Sequence, residues 1–289
     1  MFEKAARKKA KLRLALAGPS GSGKTLSALM IAGGMTGGDW SKVALIDTEH
    51  ERARFYADRQ EWGIGEFLYQ PLVPPYNASK YIDIAKAGAE AVGEDGVLIV
   101  DSLSHAWEGE GGVLEYKSEV EKQKGKTAYT AWEDAGKMQN GLINTLLSLP
   151  CHVIVTMRTK TAYAMEVNDR GKTVPVKVGL APVQRENTEY EFDIVLNLDR
   201  EHYATASKDT TFLDTLNAPI TPELGSKLHD WLSTGVEPER CADCGKVILP
   251  ECGQTVAQIV AGTSARYGRK LCMNCARKAK DEAAKTVSE

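Results

Sequence analysis

Long apolar runs, charge of one sign and cysteine are all scarce in this chain, and each scarcity excludes something. No apolar run approaches the ~20 residues that a membrane helix needs, so no membrane partner is expected. Neither sign of charge dominates: 36 Lys and Arg stand against 39 Asp and Glu, for a net charge of −3. A chain so balanced is no polycation, and nucleic acid would have to meet local patches. Cysteine occupies six of 289 positions, and four of the six form two C-x-x-C pairs near the end. That spacing belongs to a metal site rather than to a disulfide framework. The basic start, MFEKAARKKAKLRLALAG, has only a short apolar run and passes into glycines with no small-residue cleavage site. It does not read as a signal peptide, and a cytoplasmic location is expected.

What is present is an alternation of apolar runs and helical patterns over the first ~230 residues, the pattern of an α/β fold with a parallel sheet flanked by helices. Strands are expected at 12–17, 43–47, 97–101, 152–157 and 192–198, apolar almost throughout as strands covered on both faces should be. Helices are expected at 24–35, 50–60, 78–92, 132–149 and 221–233, the last opening on Thr221 and Pro222, a good helix start. The organisation expected is a core over 1–233 with a basic N-terminal extension, a linker at 234–240, and a small module with a charged tail at 241–289.

GPSGSGKT, from Gly18 through Pro19, Ser20, Gly21, Ser22, Gly23 and Lys24 to Thr25, follows a strand and opens a helix at Leu26. It fits G-x-x-x-x-G-K-[ST], the phosphate-binding P-loop (Walker A). Glycines turn successive backbone N–H groups toward phosphate oxygens, and the helix N-terminus adds its positive end. In that pattern Lys24 reaches the β- and γ-phosphates of ATP and the Thr25 hydroxyl ligates Mg²⁺. A chance glycine-rich turn is the bland alternative, and the flanking strand and helix argue against it.

VLIVDSLSH, 97 to 105, places Asp101 at the carboxyl end of a buried strand, where parallel-sheet ligands bind. Alone it marks a strand end; beside a P-loop it is a second Mg²⁺ ligand. VALIDTEHERARF, 43 to 55, ends another such strand in acids. Glu49 is either a general base that polarises a water aimed at the γ-phosphate or part of a solvated first helical turn.

These stretches together resemble the RecA superfamily of recombination ATPases, in which a strand ending D-x-E-H carries the catalytic glutamate and one ending V-D-S carries the Mg²⁺ aspartate. IDTEH and IVDS are similar to both. DSLSHAWEGEGG, APVQRENTEYEFDIVLNLD and ASKD narrow the resemblance to bacteriophage RecA-like, AAA-family ATPases, some of them single-strand annealing or recombination-mediator proteins. The resemblance spans roughly 12–233. It implies a RecA-like ATPase core, a homo-oligomer (ring or filament) with ATP at subunit interfaces, single-stranded DNA, a role in phage DNA recombination, and the cytoplasm of a bacterial host. It also implies catalytic roles for Glu49 and Lys24, and for Lys208 in a neighbouring subunit's site, although Thr210 stands where a second basic residue is usual. Thr156, Arg158 and Gln184 are the candidates for its γ-phosphate sensor.

Between 158 and 185 six cations, Arg158, Lys160, Arg170, Lys172, Lys177 and Arg185, face only Glu166 and Asp169. NDRG between two alternating runs reads as a hairpin turn. A basic hairpin with Tyr163 at its flank suits a single nucleic-acid strand, cations on phosphates and an aromatic for stacking; a solvated hairpin against a neighbouring subunit is the alternative. The basic N-terminus (Lys4, Arg7, Lys8, Lys9, Lys11, Arg13) is a weaker candidate, and Trp107, Tyr129 and Trp132 are expected to pack.

Cys241 and Cys244 are separated by 27 residues from Cys272 and Cys275. Two such knuckles make a closed tetrahedral S₄ site that suits Zn²⁺ in a structural role. So small a module has little core, and metal would supply much of its folding energy. Cys252 could substitute or remain free, and Cys151 is expected to be a core thiol.

The sequence therefore reads as a Mg²⁺-dependent P-loop ATPase coupled to single-stranded DNA, with a zinc-ribbon-like appendage. Two rivals stand beside it. One is a P-loop kinase. The other is a nucleotide-gated adaptor that recruits a single-strand-binding, replication or repair protein.

Overall fold

Alternate residues of a strand leave a sheet on opposite faces, and here both faces are apolar. Leu14, Leu16, Val43, Leu45, Val97 and Ile99 are buried on one side of a central sheet. Ala15, Ala17, Ala44, Ile46, Leu98 and Val100 are buried on the other. Burying a Leu or Ile completely contributes about 1.5–3 kcal/mol, so two such faces make the sheet the core of the protein.

The computed structural model describes residues 7, 9–167 and 173–286. In chain order its strands and α-helices are β1 (Arg13–Gly18), α1 (Lys24–Met35), β2 (Val43–Asp47), β3 (Leu68–Pro71), α2 (Ala78–Val92), β4 (Val97–Asp101), α3 (Ser104–Glu108), α4 (Val113–Glu121), α5 (Ala128–Ser148), β5 (His152–Val167), β6 (Thr173–Pro182), β7 (Ile194–Leu198), β8 (Tyr203–Lys208), β9 (Asn217–Pro219), α6 (Pro222–Ser233), α7 (Val256–Tyr267) and α8 (Met273–Thr286). The sheet runs β3-β2-β4-β5-β1-β7-β8-β9, with β6 paired to β5. It is parallel from β3 to β7 and antiparallel beyond. Residues of α1 and α6 close one face, and residues of α2 and α5 the other. The expected α/β class with a parallel sheet flanked by helices is the observed one.

Capping sets the helix ends. The Asn77 side chain accepts from Lys80 N at 2.9 Å and starts α2, and Thr127 with Thr130 forms a capping box that starts α5 four residues before the expected 132. The helix expected at 50–60 is absent. His50 and Glu51 take left-handed backbone, φ 58° and 61°, and the Asp47 carboxylate accepts from Glu49 N and Ala53 N. Side-chain acceptors of this kind compete with the helical ladder, and only short 3₁₀ turns, Arg52–Tyr56 and Gln60–Trp62, form there. The strand expected to stop at 157 continues to Val167 and pairs antiparallel with β6.

Contacts divide the chain into two units, one of them Lys11–Leu232. The other joins Ser233–Glu289 to the start of the chain. There Lys9 N donates to Val236 O at 3.2 Å and Val236 N to Arg7 O at 2.9 Å. The segment expected as a linker, 234–240, thus lies within the second unit. Among the described residues no helix is long and apolar enough to cross a membrane.

Candidate active site

Parallel strands bring their carboxyl ends to one rim, and the register sets which residues meet there. Gly18 lies opposite Arg158 where β1 pairs with β5, and Asp47 lies opposite Asp101 where β2 pairs with β4. The 18–25 loop leaves β1 at this rim and enters α1. Gly23 caps α1 at φ 82°, a conformation that glycine adopts without strain. A Cβ on Gly18 would stand 2.5 Å from Ser22 Oγ and 2.7 Å from Leu198 O, so the loop closes only over glycine. Lys24 Nζ donates to Gly18 O at 3.0 Å and Pro19 O at 2.8 Å, across the loop's own span. Leu26, in the first turn of α1, is half-buried against the core cluster on that side of the sheet.

Asp101 is an enclosed acid of the rim, 2% exposed. Thr25 Oγ1 donates to its Oδ2 at 2.5 Å, and Thr156 Oγ1 donates to its Oδ1. Burial pushes the Asp101 carboxyl above its ordinary value; the two hydroxyls pull the other way, and Glu49 and Asp47 add to the rise. A buried carboxylate beside a threonine hydroxyl, with no cationic side chain bonded to it among the described residues, is a hard-oxygen pair that fits a divalent cation such as Mg²⁺. Thr48 joins the ends of β2 and β4. Its N–H donates to Asp101 O at 2.7 Å, and its Oγ1 accepts from Ser102 N at 2.8 Å and lies 2.6 Å from His105 Nδ1.

Glu49 and Arg158 face each other in a bidentate pair: Arg158 Nε donates to Oε1 at 2.8 Å and Nη2 to Oε2 at 2.6 Å. Burial works to raise the Glu49 carboxyl, but the Arg158 hydrogen bonds and charge, with His105 and Lys24 behind them, hold it below its ordinary value. Both residues line a cleft of about 620 Å³ together with Gly21, Lys24, Thr25 and Asp101. Arg52, Phe55 and Tyr56 also line it, and Phe55 is 74% exposed. Sequence reasoning missed these three because it assigned 50–60 to a solvated helix. It also missed Asp47 and Thr48, which orient the Glu49 turn. The cation–aromatic run RARFY, just after the acid-ended strand β2, was the available signal.

The three sensor candidates separate. Thr156 is bonded to Asp101 and Arg158 to Glu49, whereas Gln184 turns away: its Nε2 donates to Leu103 O at 3.0 Å and its Oε1 accepts from Gln139 Nε2 at 2.7 Å. Lys208 lies outside the cleft, at the end of β8, where its Nζ donates to Tyr190 O. Of the six cations chosen for nucleic acid, Arg158 belongs to this cleft. Lys160 is exposed on β5, and Arg185 Nη1 donates to Asn140 Oδ1 at 2.8 Å. Arg170 and Lys172, with the expected turn, lie outside the described residues, as do the side chains of Lys177 and Tyr163. In the basic start, Lys4 and Lys8 lie outside them too; Lys9 pairs with Glu237, Lys11 with Asp95, and Arg13 is buried. Trp107 packs on Trp132 with centroids 6.3 Å apart, as expected, but Tyr129 is 81% exposed.

In the second unit the sulfurs of Cys241, Cys244, Cys272 and Cys275 all lie within 4.8 Å of one another. Cys244 Sγ and Cys272 Sγ are 3.8 Å apart. A tetrahedral site with Zn–S bonds of about 2.3 Å has S···S edges of about 3.8 Å, so four thiolates here could hold zinc. Cys252 is exposed and outside the cluster, and Cys151 is a buried core thiol.

Residues 10–221 match a protein-family model described as an AAA domain. That is well over half of the chain, and the chain belongs to this AAA-domain family. No curated protein matches the sequence.

Proposed function

Starting from that membership, we propose that the protein is a Mg²⁺-dependent ATPase whose turnover is coupled to single-stranded DNA. The observation that carries the reading is the convergence of Lys24, Thr25, Asp101 and Glu49 on one cleft. Lys24 and the loop amides bind the phosphates. Thr25 and Asp101 hold Mg²⁺, which when bound offsets charge on the phosphate oxygens. Glu49 accepts a proton from water as its oxygen bonds to the γ-phosphorus; the bond to the β,γ-bridging oxygen breaks, and ADP leaves with that electron pair. The place of Glu49 in the same cleft as the P-loop, where it can orient a water, favours hydrolysis over a kinase reaction.

The antiparallel β5–β6 hairpin, which begins where Arg158 leaves the cleft, supports a strand-responsive role. Single-stranded DNA in phage recombination or annealing, a homo-oligomer and a trans-acting Lys208 belong to this proposal and rest on the resemblance of the motifs. Zinc in the four-cysteine cluster, as a structural ion, belongs to it too. The deciding experiment is the ATPase rate of wild type and Glu49→Gln, with and without single-stranded oligonucleotide over a salt series. Loss of turnover by about 100-fold or more in the variant, and stimulation of the wild type that fades with salt, are expected. Near-normal turnover in Glu49→Gln sinks the catalytic assignment, and a rate indifferent to DNA at low salt sinks the coupling.

A further inference from the structure

We propose that His105 is a positioning residue for hydrolysis: its Nδ1 takes the hydroxyl hydrogen of Thr48 and so fixes the residue from which the Glu49 turn departs. The inference rests on the hydrolytic reading of the cleft and adds to it a residue that is not among those lining the cleft.

The hydrogen bonds around Thr48 carry it. Thr48 Oγ1 accepts from Ser102 N at 2.8 Å and has a single hydrogen to give. Among the described residues three acceptors lie within its reach: His105 Nδ1 at 2.6 Å, Asp101 O at 3.2 Å and Ser102 O at 3.4 Å. The two carbonyls already accept shorter bonds, Asp101 O from Thr48 N at 2.7 Å and Ser102 O from the Tyr81 hydroxyl at 2.9 Å. The hydrogen therefore goes to His105 Nδ1, and the ring carries its own on Nε2. Burial, with Arg158 and His50 nearby, holds the His105 ring below its ordinary value against the pull of Glu49 and Asp47, which keeps Nδ1 unprotonated.

His105 can hold Thr48 because it is itself held. It is the second residue of α3, whose start is tied to β5: Leu103 N donates to Thr156 O at 2.9 Å, and Ser104 Oγ accepts from Arg158 N at 2.9 Å. Its ring stacks on buried Tyr76 with centroids 4.9 Å apart. Thr48 is thereby bonded to the end of β4 and to α3, one residue before Glu49, whose N–H donates to Asp47 Oδ1 at 2.6 Å. A reacting group displaced by about 1 Å can lose about two orders of magnitude in rate, so the hold on Thr48 bears on turnover rather than on nucleotide affinity.

The test is steady-state ATPase kinetics with kcat and the KM for ATP read separately. His105→Leu removes the acceptor and should lower kcat about 10-fold or more while KM moves less than about 2-fold. His105→Asn, whose Oδ1 can stand near the Nδ1 position, should recover kcat to within about 3-fold of wild type. His105→Phe keeps a ring against Tyr76 but has no acceptor; it should behave as His105→Leu, and it decides if that variant does not fold. Equal losses in the Asn and Phe variants would mean that the imidazole only packs, and a normal kcat in the Phe variant would mean that it does nothing for turnover; either overturns the proposal. In a Thr48→Val background His105→Leu should cost less than about 2-fold more, because its partner is gone. A full further loss there means a route that bypasses Thr48, and overturns it too. Imidazole nitrogen NMR of the wild type should show the Nε2–H tautomer at neutral pH, and the Nδ1–H tautomer sinks the assignment without any variant. Turnover that survives Glu49→Gln would defeat the hydrolytic reading, whereas an inactive Glu49→Gln beside an active His105→Phe defeats this proposal alone.

Discussion

Thr25 Oγ1 and Asp101 Oδ2, 76 positions apart in the chain, lie 2.5 Å from each other. One comes from the first turn of α1 and the other from the end of β4, so the contact exists only because the sheet aligns the two elements. If this pair holds the divalent cation, Asp101→Asn should raise the Mg²⁺ concentration needed for half-maximal ATPase activity by about 10-fold or more and lower the maximal rate, the loss being the missing charged ligand. Thr25→Ser should keep most activity and Thr25→Val should lose it. A Mg²⁺ titration of all three variants checks the assignment.

Arg13 is only 9% exposed, and its guanidinium donates to the carbonyls of Leu12, Leu147, Leu149 and Cys151, gathering the end of α5 and the start of β5. A cation at a helix C-terminus also meets the negative end of the helix dipole. Arg13→Met should fill much of the space yet leave buried carbonyls unpaired, costing about 3 kcal/mol or more. Urea unfolding measures it, and a loss below about 1 kcal/mol would mean that the carbonyls find other donors.

His152 is 4% exposed and its Nδ1 accepts from Leu12 N at 3.0 Å, which only the neutral ring can do. Burial, with Lys11, His229 and Arg13 nearby, holds its pKa down at about 3. The unfolded chain binds the proton near the ordinary 6.5 while the folded one does not, so this contribution is present above 6.5 and declines as pH falls toward 3. Between pH 7 and 5 the loss should be about 2 kcal/mol. His152→Asn, whose Oδ1 can replace the acceptor, should remove that part of the pH dependence; unfolding midpoints at the two pH values decide.

Stripping metal with a strong chelator should open the second unit and leave the first folded. The second unit's apolar cluster has four buried residues, Cys241, Ile248, Ile259 and Leu271, one of them a ligand of the proposed ion. With so little core, metal binding supplies folding energy. Limited proteolysis should then cut within 241–286 and spare Lys11–Leu232. Cys272→Ser should reproduce the pattern, and resistance of the chelated protein would show that the module folds on its packing alone.

Local signals announced themselves in the sequence. The P-loop, the aspartate ending an apolar strand and the doubled C-x-x-C were legible because each is a short run whose chemistry depends on neighbours in the chain. The parallel sheet was legible because strands covered on both faces must be apolar throughout. Strands as short as β3 and β9, at 4 and 3 residues, and the half-polar β8 carry too little pattern to announce themselves. The segment between β2 and β3 departs from its expected helix because the bonds that Asp47 makes to Glu49 and Ala53 outweigh a reading that rested on charge pattern. Only the tertiary structure decided the partners. The pairing of β1 and β4 with β5 set Arg158 against Glu49 across 109 positions and turned Gln184 toward Leu103 instead. A sequence determines which groups a chain owns, but register and crossover determine which of them come within hydrogen-bond reach.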